Sequence, residues 1–314
     1  MIKRTLYFGN NAYLHFKNKQ LVIDFPNDER EPATIPVEDI GVVILDSFRL
    51  TITQHVMTKL LQNNVALINC DEKHMPIGLM LNLDGHHTQQ EHFRNQINAS
   101  LPLKKQLWQQ TVKAKILNQG RLLSVIEGFA PSETLNKYEN MQYWAKSVRS
   151  GDPDNYEARA AAYYWSQIFA DTIEKFKRGR EEPDPNPILN YGYAILRAVT
   201  ARSLVASGLL PTLGVHHHNK YNAYALADDI MEPYRPYVDM TVREIVVKYY
   251  PLVEEGEPLD LMPEIKKELL QIPAMDVTID GEKSPLMLAM QRTTASLQRC
   301  FAGVEKGILY PEFN

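Results

Sequence analysis

Three adjacent histidines, His216, His217 and His218, are followed by three acids, Asp228, Asp229 and Glu232, that fall within five positions. A divalent ion that activates a phosphodiester takes hard oxygen ligands, and an imidazole can complete its shell. On a helix, Asp229 and Glu232 share a face at three residues apart, as do Asp228 and Glu232 at four. A further acid, Glu157, stands in DNYEARAAAYYW, an Ala- and aromatic-rich segment that reads as helix. Plainer roles are open to all of them. Asp154-x-x-Glu157 and Asp229-x-x-Glu232 both have the spacing of a capping box, where the second acid bonds back to the helix start. A histidine triplet can equally be a solvated loop. Pro233, directly after Glu232, predicts an irregular helix at that point.

Several other chemistries lack their motifs. There is no GxxxxGK[ST] phosphate loop, no GxGxxG after a strand, no CxxC pair and no GxSxG elbow. His86, His87 and His92 lie among polar residues at a spacing that matches no strong metal motif. Lys175, Lys177, Arg178 and Arg180, partly neutralised by Glu181 and Glu182, read as a solvated helix end, and Tyr163, Tyr164 and Trp165 read as core. The net charge of −4, from 34 Lys+Arg against 38 Asp+Glu, argues mildly against a nucleic-acid partner, but the charge is segregated. Between His92 and Ile126 there is no acid, while Arg94, Lys104, Lys105, Lys113, Lys115 and Arg121 are present. Residues 185–227 are again acid-free and carry Arg197, Arg202, Lys220 and the three histidines, and acids crowd into Asp228–Glu264. A basic surface beside an acidic cluster suits a metal-dependent enzyme acting on a polyanion, although solvated helix faces produce the same pattern.

The elements that must position these residues change character along the chain. The 314 residues, 44% apolar and 23% charged, exclude wholesale disorder and suit two domains. Arg4–Phe8, Ala12–Lys17, Gln20–Phe25, Thr34–Val37, Gly41–Leu45, Val65–Asn69 and Ile77–Leu81 read as strands, with one helix at Gln54–Gln62. Asp84-Gly85 marks a linker, and beyond it the apolar period becomes 3.6, as at Leu103, Leu107, Val112 and Ile116. Asn186-Pro187 opens a helix that stops at Gly208, and Ser284-Pro285 opens another that ends at Gly303. The reading is an α+β protein with a small N-terminal β-sandwich-like domain (residues 1–84), a linker (85–95) and a larger all-α domain (96–314). Two cysteines, Cys70 and Cys300, are too few for a disulfide framework, the opening MIKRTLYFGNNAYL has no long apolar run, and no stretch approaches the ~20 apolar residues of a membrane span. A cytoplasmic protein with no membrane partner is therefore expected.

The segments LNYGYAILR, GLLPTLGVHH and LADDIMEPYRP within Pro183–Asp239 resemble the CRISPR-associated adaptation integrases, the "Cas one" family that installs new spacers. TIDGEKSPLMLAMQRTTASLQRCF at Thr278–Phe301 is similar to the form that accompanies type II systems, and the resemblance spans the chain. It implies a metal-dependent DNA endonuclease and integrase of antiviral defence, joining prespacer 3′-hydroxyl ends into the repeat array by transesterification. It also implies catalytic metal ligands at Glu157, His217 and Glu232, an assisting Asp229, and Mg²⁺ or Mn²⁺ as the ion. The Glu-Gly pair common in the family is Glu157-Ala158 here. The partners implied are double-stranded DNA (prespacer and repeat target), a second copy of the chain joined through the β domain, and a small "Cas two" protein, with the type II effector nuclease as a further candidate. A partial stripe of Lys104, Lys105 and Lys115 is the first expected DNA path, and Arg197, Arg202, Lys220 and Arg235 offer a second nearer the metal. Two other functions fit the clustered residues: a helical metal-dependent phosphohydrolase of the HD type, and a DNA-binding scaffold without catalysis.

Overall fold

The computed structural model describes residues 3–26, 30–128, 136–179, 181–252, 258–259 and 261–313. Arg180, of the basic run, and Glu254, Glu255, Glu257 and Asp260, of the acidic one, lie outside them. The apolar, β-branched runs at the start form β1 (Arg4–Phe8), β2 (Ala12–Lys17), β3 (Gln20–Asp24), β4 (Ala33–Pro36), β5 (Ile40–Leu45) and β6 (Leu50–Ile52). Helix α1 (Gln54–Gln62), β7 (Ala66–Cys70) and β8 (Pro76–Met80) follow. The strands make two four-stranded sheets, ordered β1-β5-β7-β8 and β4-β3-β2-β6. Asn18 and Lys19, at φ of 52° and 62°, form the two-residue hairpin between β2 and β3, the left-handed geometry that matches strand twist. The short β6 pairs parallel with β2, a strand that three residues of alternating pattern do not announce.

Alternation along β5 and β7 divides the interior. Val43 and Leu67 face a core shared with Leu14, Leu21, Val56 and Leu60 of the second sheet and α1. Val42, Ile44, Ala66 and Ile68 face the opposite way, into the core of the helical part. The first sheet is therefore covered on both sides, which explains the unbroken apolar run of β5.

The remainder is built from α2 (Gln89–Ile97), α3 (Leu101–Ile126), α4 (Asn136–Ser147), α5 (Tyr156–Gln167), α6 (Asn186–Ala206), α7 (Ala225–Met231), α8 (Arg235–Tyr249) and α9 (Pro263–Leu269). Strands β9 (Asp276–Ile279) and β10 (Glu282–Pro285), helix α10 (Leu286–Phe301) and strand β11 (Pro311–Glu312) complete the chain. Helix α6 is buried nearly all round and forms the spine of the helical core. Three details differ from the sequence reading. The segment expected as a linker already holds the start of α2, anchored where Gln96 exchanges hydrogen bonds with the Leu210 main chain at 2.9 and 3.0 Å. Ser284-Pro285 does not open a helix; both residues pair with β9, and α10 starts at Leu286. The helical part thus carries a small three-stranded sheet, ordered β10-β9-β11. Its hairpin turn is Asp280-Gly281, with φ of 56° and 75°, an Asp-Gly signal that the helix-opening motif beside it obscures.

A polar joint ties the two parts together. Asp46, just past β5, accepts from Lys266 Nζ of α9 at 2.8 Å and from the Tyr7 hydroxyl, and lies 2.8 Å from His74 Nδ1. Burial pushes the Asp46 carboxyl up, but these bonds outweigh it and hold it below the usual carboxylate value.

Candidate active site

Helix α3 starts on Ser100, whose hydroxyl accepts from the Leu103 N–H, and presents Trp108, Thr111, Lys115 and Asn118 inward. Opposite it, α5 begins with Tyr156 and Glu157, whose main-chain N–H groups both donate to the Asp152 carboxylate, at 3.0 and 2.9 Å. That contact fixes the first turn and sends the Glu157 side chain toward α3. Between α7 and α8, Pro233 has no N–H to continue the α pattern, and Glu232–Tyr234 tighten into a 3-10 turn. Asn118 of α3 holds that turn by donating to the Pro233 carbonyl at 2.8 Å. The result brings together two carboxylates that lie far apart in sequence. Lys115 Nζ is 2.6 Å from Glu157 Oε1 and 2.7 Å from Glu232 Oε2. The side chains are 9% (Lys115), 24% (Glu157) and 5% (Glu232) exposed.

The histidine triplet is sorted by its surroundings. Asp229, on α7, has a fully buried carboxylate that accepts from the Val215, His216 and His217 N–H groups at 2.7, 3.0 and 3.3 Å. The same carboxylate accepts a hydrogen bond from His217 Nδ1, so that in the neutral ring Nε2 carries no hydrogen and faces away from Asp229. This hydrogen bond lifts the His217 imidazole above its ordinary value against the effect of burial, and the charges of Glu232 and Glu157 add to the lift. His216 instead stacks flat on Trp108, with ring centroids 4.1 Å apart and planes 3° from parallel. His218 is exposed. The loop closes tightly at Gly214, where a Cβ would fall 2.5 Å from the His217 carbonyl oxygen and 2.8 Å from Asp229 Oδ2.

A second cation flanks the carboxylates. Arg235 Nη2 lies 3.0 Å from Glu232 Oε1, and its guanidinium sits over the Tyr193 ring. Burial pushes the Glu232 carboxyl up, but Arg235 and Lys115 outweigh it and hold it below the carboxylate range. Behind Arg235, Asp239 is fully buried, accepts from the Tyr164 and Tyr193 hydroxyls, and is pushed up to about 6 by that burial. Asp228 turns away from the centre into a two-pronged pair with Arg197, at 2.6 and 3.0 Å, closed by Asn222.

Neither capping box forms. Asp154 pairs with Arg149 while Asp152 does the capping at Glu157; Asp229 is taken up by the main chain of residues 215–217 and the His217 ring, and Glu232 by Lys115 and Arg235.

The profile of the family described as "CRISPR associated protein Cas1" matches residues 6–251. The chain belongs to the Cas1 family. A CRISPR-associated endonuclease Cas1 of Neisseria meningitidis serogroup C (strain 8013) is 36% identical over 301 residues, which cover 95% of this chain and 92% of that protein. Among solved structures, a casposase bound to integration product superposes with a TM-score of 0.77 at 19% identity, over 98% of this chain and 92% of that one. A chain of a Cas6-RT-Cas1–Cas2 complex superposes with a TM-score of 0.70 at 19% identity, over 97% of this chain and 35% of that one. These likenesses establish a common Cas1 fold, a strand-rich N-terminal part followed by a helical one.

Within this Cas1 fold, Glu157 and Glu232 meet at one cation, and His217 is the histidine that Asp229 orients toward their charge. The expected DNA paths are broken up. Lys115 leaves the stripe with Lys104 and Lys105 because it lies on the inward face of α3 with Trp108 and Thr111, and Trp108 itself is buried and closed to bases. Arg202 is 1% exposed and donates to the Asn64 carbonyl, so it cannot track phosphates. Arg235 is tied to Glu232 and Arg197 to Asp228, whereas Lys105 and Lys220 stand exposed and Lys104 half-buried. Lys115 is the member of the site that spacing could not reveal, because its partners lie 42 residues away (Glu157) and on a separate turn (Glu232).

The residue types suit a divalent ion: two carboxylates aimed at one cationic position and an imidazole with a bare nitrogen. Glu232 Oε2 is buried 2.7 Å from Lys115 Nζ. Among the described residues, no three His, Cys, Asp or Glu side chains stand gathered around an empty centre; between these two carboxylates, Lys115 fills the position.

Proposed function

We propose that this Cas1-family chain is the metal-dependent integrase of CRISPR adaptation, joining prespacer 3′-hydroxyl ends to the repeat by transesterification. The observation that carries the reading is the convergence of Glu157 and Glu232 on one cation, beside a histidine keyed by a buried carboxylate. Glu157, His217 and Glu232 would hold Mg²⁺ or Mn²⁺, which supplies polarisation of the phosphate and charge for the departing oxygen. The chain's own residues do the rest. Asp229 fixes the imidazole tautomer, Arg235 steadies Glu232, and the Asp152 contact sets the Glu157 backbone. One phosphodiester is exchanged for another: the attacking 3′-hydroxyl gives up its proton as its oxygen bonds to phosphorus, and the target strand's 3′-oxygen leaves and takes up a proton.

DNA as substrate is supported by the casposase neighbour bound to an integration product, and a Cas2 partner by the neighbour solved in a Cas1–Cas2 complex. A homodimer formed through the β domain and a contact with the type II effector nuclease complete the proposed assembly. No helix among the described residues is long and apolar enough to cross a membrane, in keeping with cytoplasmic work on DNA.

The test uses the purified chain with Mn²⁺, a duplex bearing 3′-hydroxyl ends and a supercoiled plasmid that carries repeats. Joined, relaxed product is expected. Hydrolysis of small phosphodiesters without joining would assign the HD-type phosphohydrolase instead, and duplex binding with neither reaction would assign a scaffold.

A further inference from the structure

Lys115 stands between two carboxylates. Its ammonium, on the buried face of α3, reaches Glu157 Oε1 at 2.6 Å and Glu232 Oε2 at 2.7 Å. Two carboxylates sharing a buried pocket repel, and without a cation one of them would have to take up a proton or turn away. Glu232 Oε2 is buried 2.7 Å from the ammonium, which is its close cation. Arg235 already satisfies the other oxygen of Glu232. A lysine ammonium is a compact point charge on a flexible stem, able to leave as a unit in a way that a two-pronged guanidinium is not.

We infer that Lys115 is a placeholder cation, which occupies the position between Glu157 and Glu232 in the metal-free protein and is displaced when a divalent ion enters. The inference rests on the metal-site reading above and goes beyond it, because it assigns a residue that competes with the ion. The ammonium keeps the two carboxylates converged on one point while no ion is bound. It also lowers the apparent affinity, since only molecules whose lysine has left can bind the ion.

Two measurements on the full-length, metal-stripped chain test this. In the first, free Mn²⁺ is followed by electron paramagnetic resonance during titration of the wild type, Lys115→Met and Glu157→Gln. Lys115→Met is expected to bind Mn²⁺ at least about tenfold more tightly than the wild type, since removing a competing state restores the intrinsic affinity, and Glu157→Gln is expected to lose the site. The second needs no variant to fold. The wild type is treated with an amine-acylating reagent, with and without Mg²⁺, and modification of Lys115 is read by mass spectrometry. Protection without Mg²⁺ and modification with it are expected. Equal or weaker Mn²⁺ binding by Lys115→Met, or a Lys115 that stays protected while a Glu157-dependent ion is bound, overturns the placeholder role and leaves the metal site standing. Absence of Glu157-dependent Mn²⁺ binding in both the wild type and Lys115→Met overturns the metal site and the placeholder together.

Discussion

At the scale of single residues, three histidines of one type receive three environments, and this makes their roles separable. Asp229 accepts from His217 Nδ1 and His216 lies on Trp108, whereas His218 makes neither contact. His217→Ala is expected to abolish joining, and Asp229→Asn to lower joining or metal affinity by about 10–100-fold, the usual effect of losing the partner that orients a ligand. His218→Ala should react like the wild type, and His216→Ala should cost about 1 kcal/mol of stability from the lost ring pair while joining persists. Rates of Mn²⁺-dependent joining for the four variants check this, and a dead His216→Ala beside an active His217→Ala would transfer the role to the stacked histidine. The residue types of this site were legible in the sequence, since the histidine triplet and the DDxxE spacing announce hard-ion chemistry. Which histidine meets Asp229 was not, because a loop has no period from which to read direction. Lys115 was legible only as charge, and its inward face follows from how α3 packs beneath α5 and the 3-10 turn.

At the scale of elements, local signals set most boundaries and tertiary contacts overrode a few. Helix α1 matches its apolar spacing at both ends, and Gly208 and Gly303 follow α6 and α10 with φ of 71° and 74°, as helix-ending glycines should. The Ser284-Pro285 opening failed because a neighbouring strand, β9, offered its residues a ladder. The capping boxes failed because their acids had stronger charged partners within reach. The loop from Gly208 to α7 depends on close approach more than on any periodic pattern. At Gly214 a Cβ would meet the His217 carbonyl at 2.5 Å and Asp229 at 2.8 Å, and both are backbone or packed atoms that cannot yield cheaply. Gly214→Ala should therefore displace the loop and weaken joining about as much as Asp229→Asn, about 10–100-fold, while circular dichroism shows the helices intact. Joining at the wild-type rate would mean that the Asp229–His217 register does not need this closure.

At the scale of the whole molecule, a sheet covered on both faces and buried polar contacts, Asp46–Lys266 and Arg202–Asn64 among them, hold the β and helical parts as a single support for the site. The two-part division was legible from the change of period near Asp84, but the joint was not, since Asp46 and Lys266 are 220 residues apart. Asp46→Asn leaves the Lys266 ammonium buried without its anion and should cost about 3–5 kcal/mol near neutral pH. The Asp46 carboxyl is held below its ordinary value of 3.8, so the stability it contributes is present above that value and is lost as pH falls through the folded one. The difference in unfolding free energy between the wild type and Asp46→Asn should accordingly be constant from pH 7 to about 5 and shrink below about 4. A gap independent of pH would show that Asp46 acts through shape rather than charge.

Of the two carboxylates, Glu157 is the better probe of whether they serve chemistry or folding. Glu232→Gln would leave Arg235 and Lys115 with an excess of buried positive charge and lower stability as well as activity. Glu157 is partly exposed, with Lys115 as its close cation, and its glutamine variant keeps the side-chain shape. The decisive measurement sets Mn²⁺-dependent joining beside duplex-binding affinity for the wild type and Glu157→Gln. Binding within about twofold of the wild type is expected, since phosphate contacts from Lys and Arg carry affinity, with joining lost by more than the about 100-fold of an outer partner. A Glu157→Gln protein that joins at the wild-type rate, with a lowered melting temperature as its sole defect, would contradict the account.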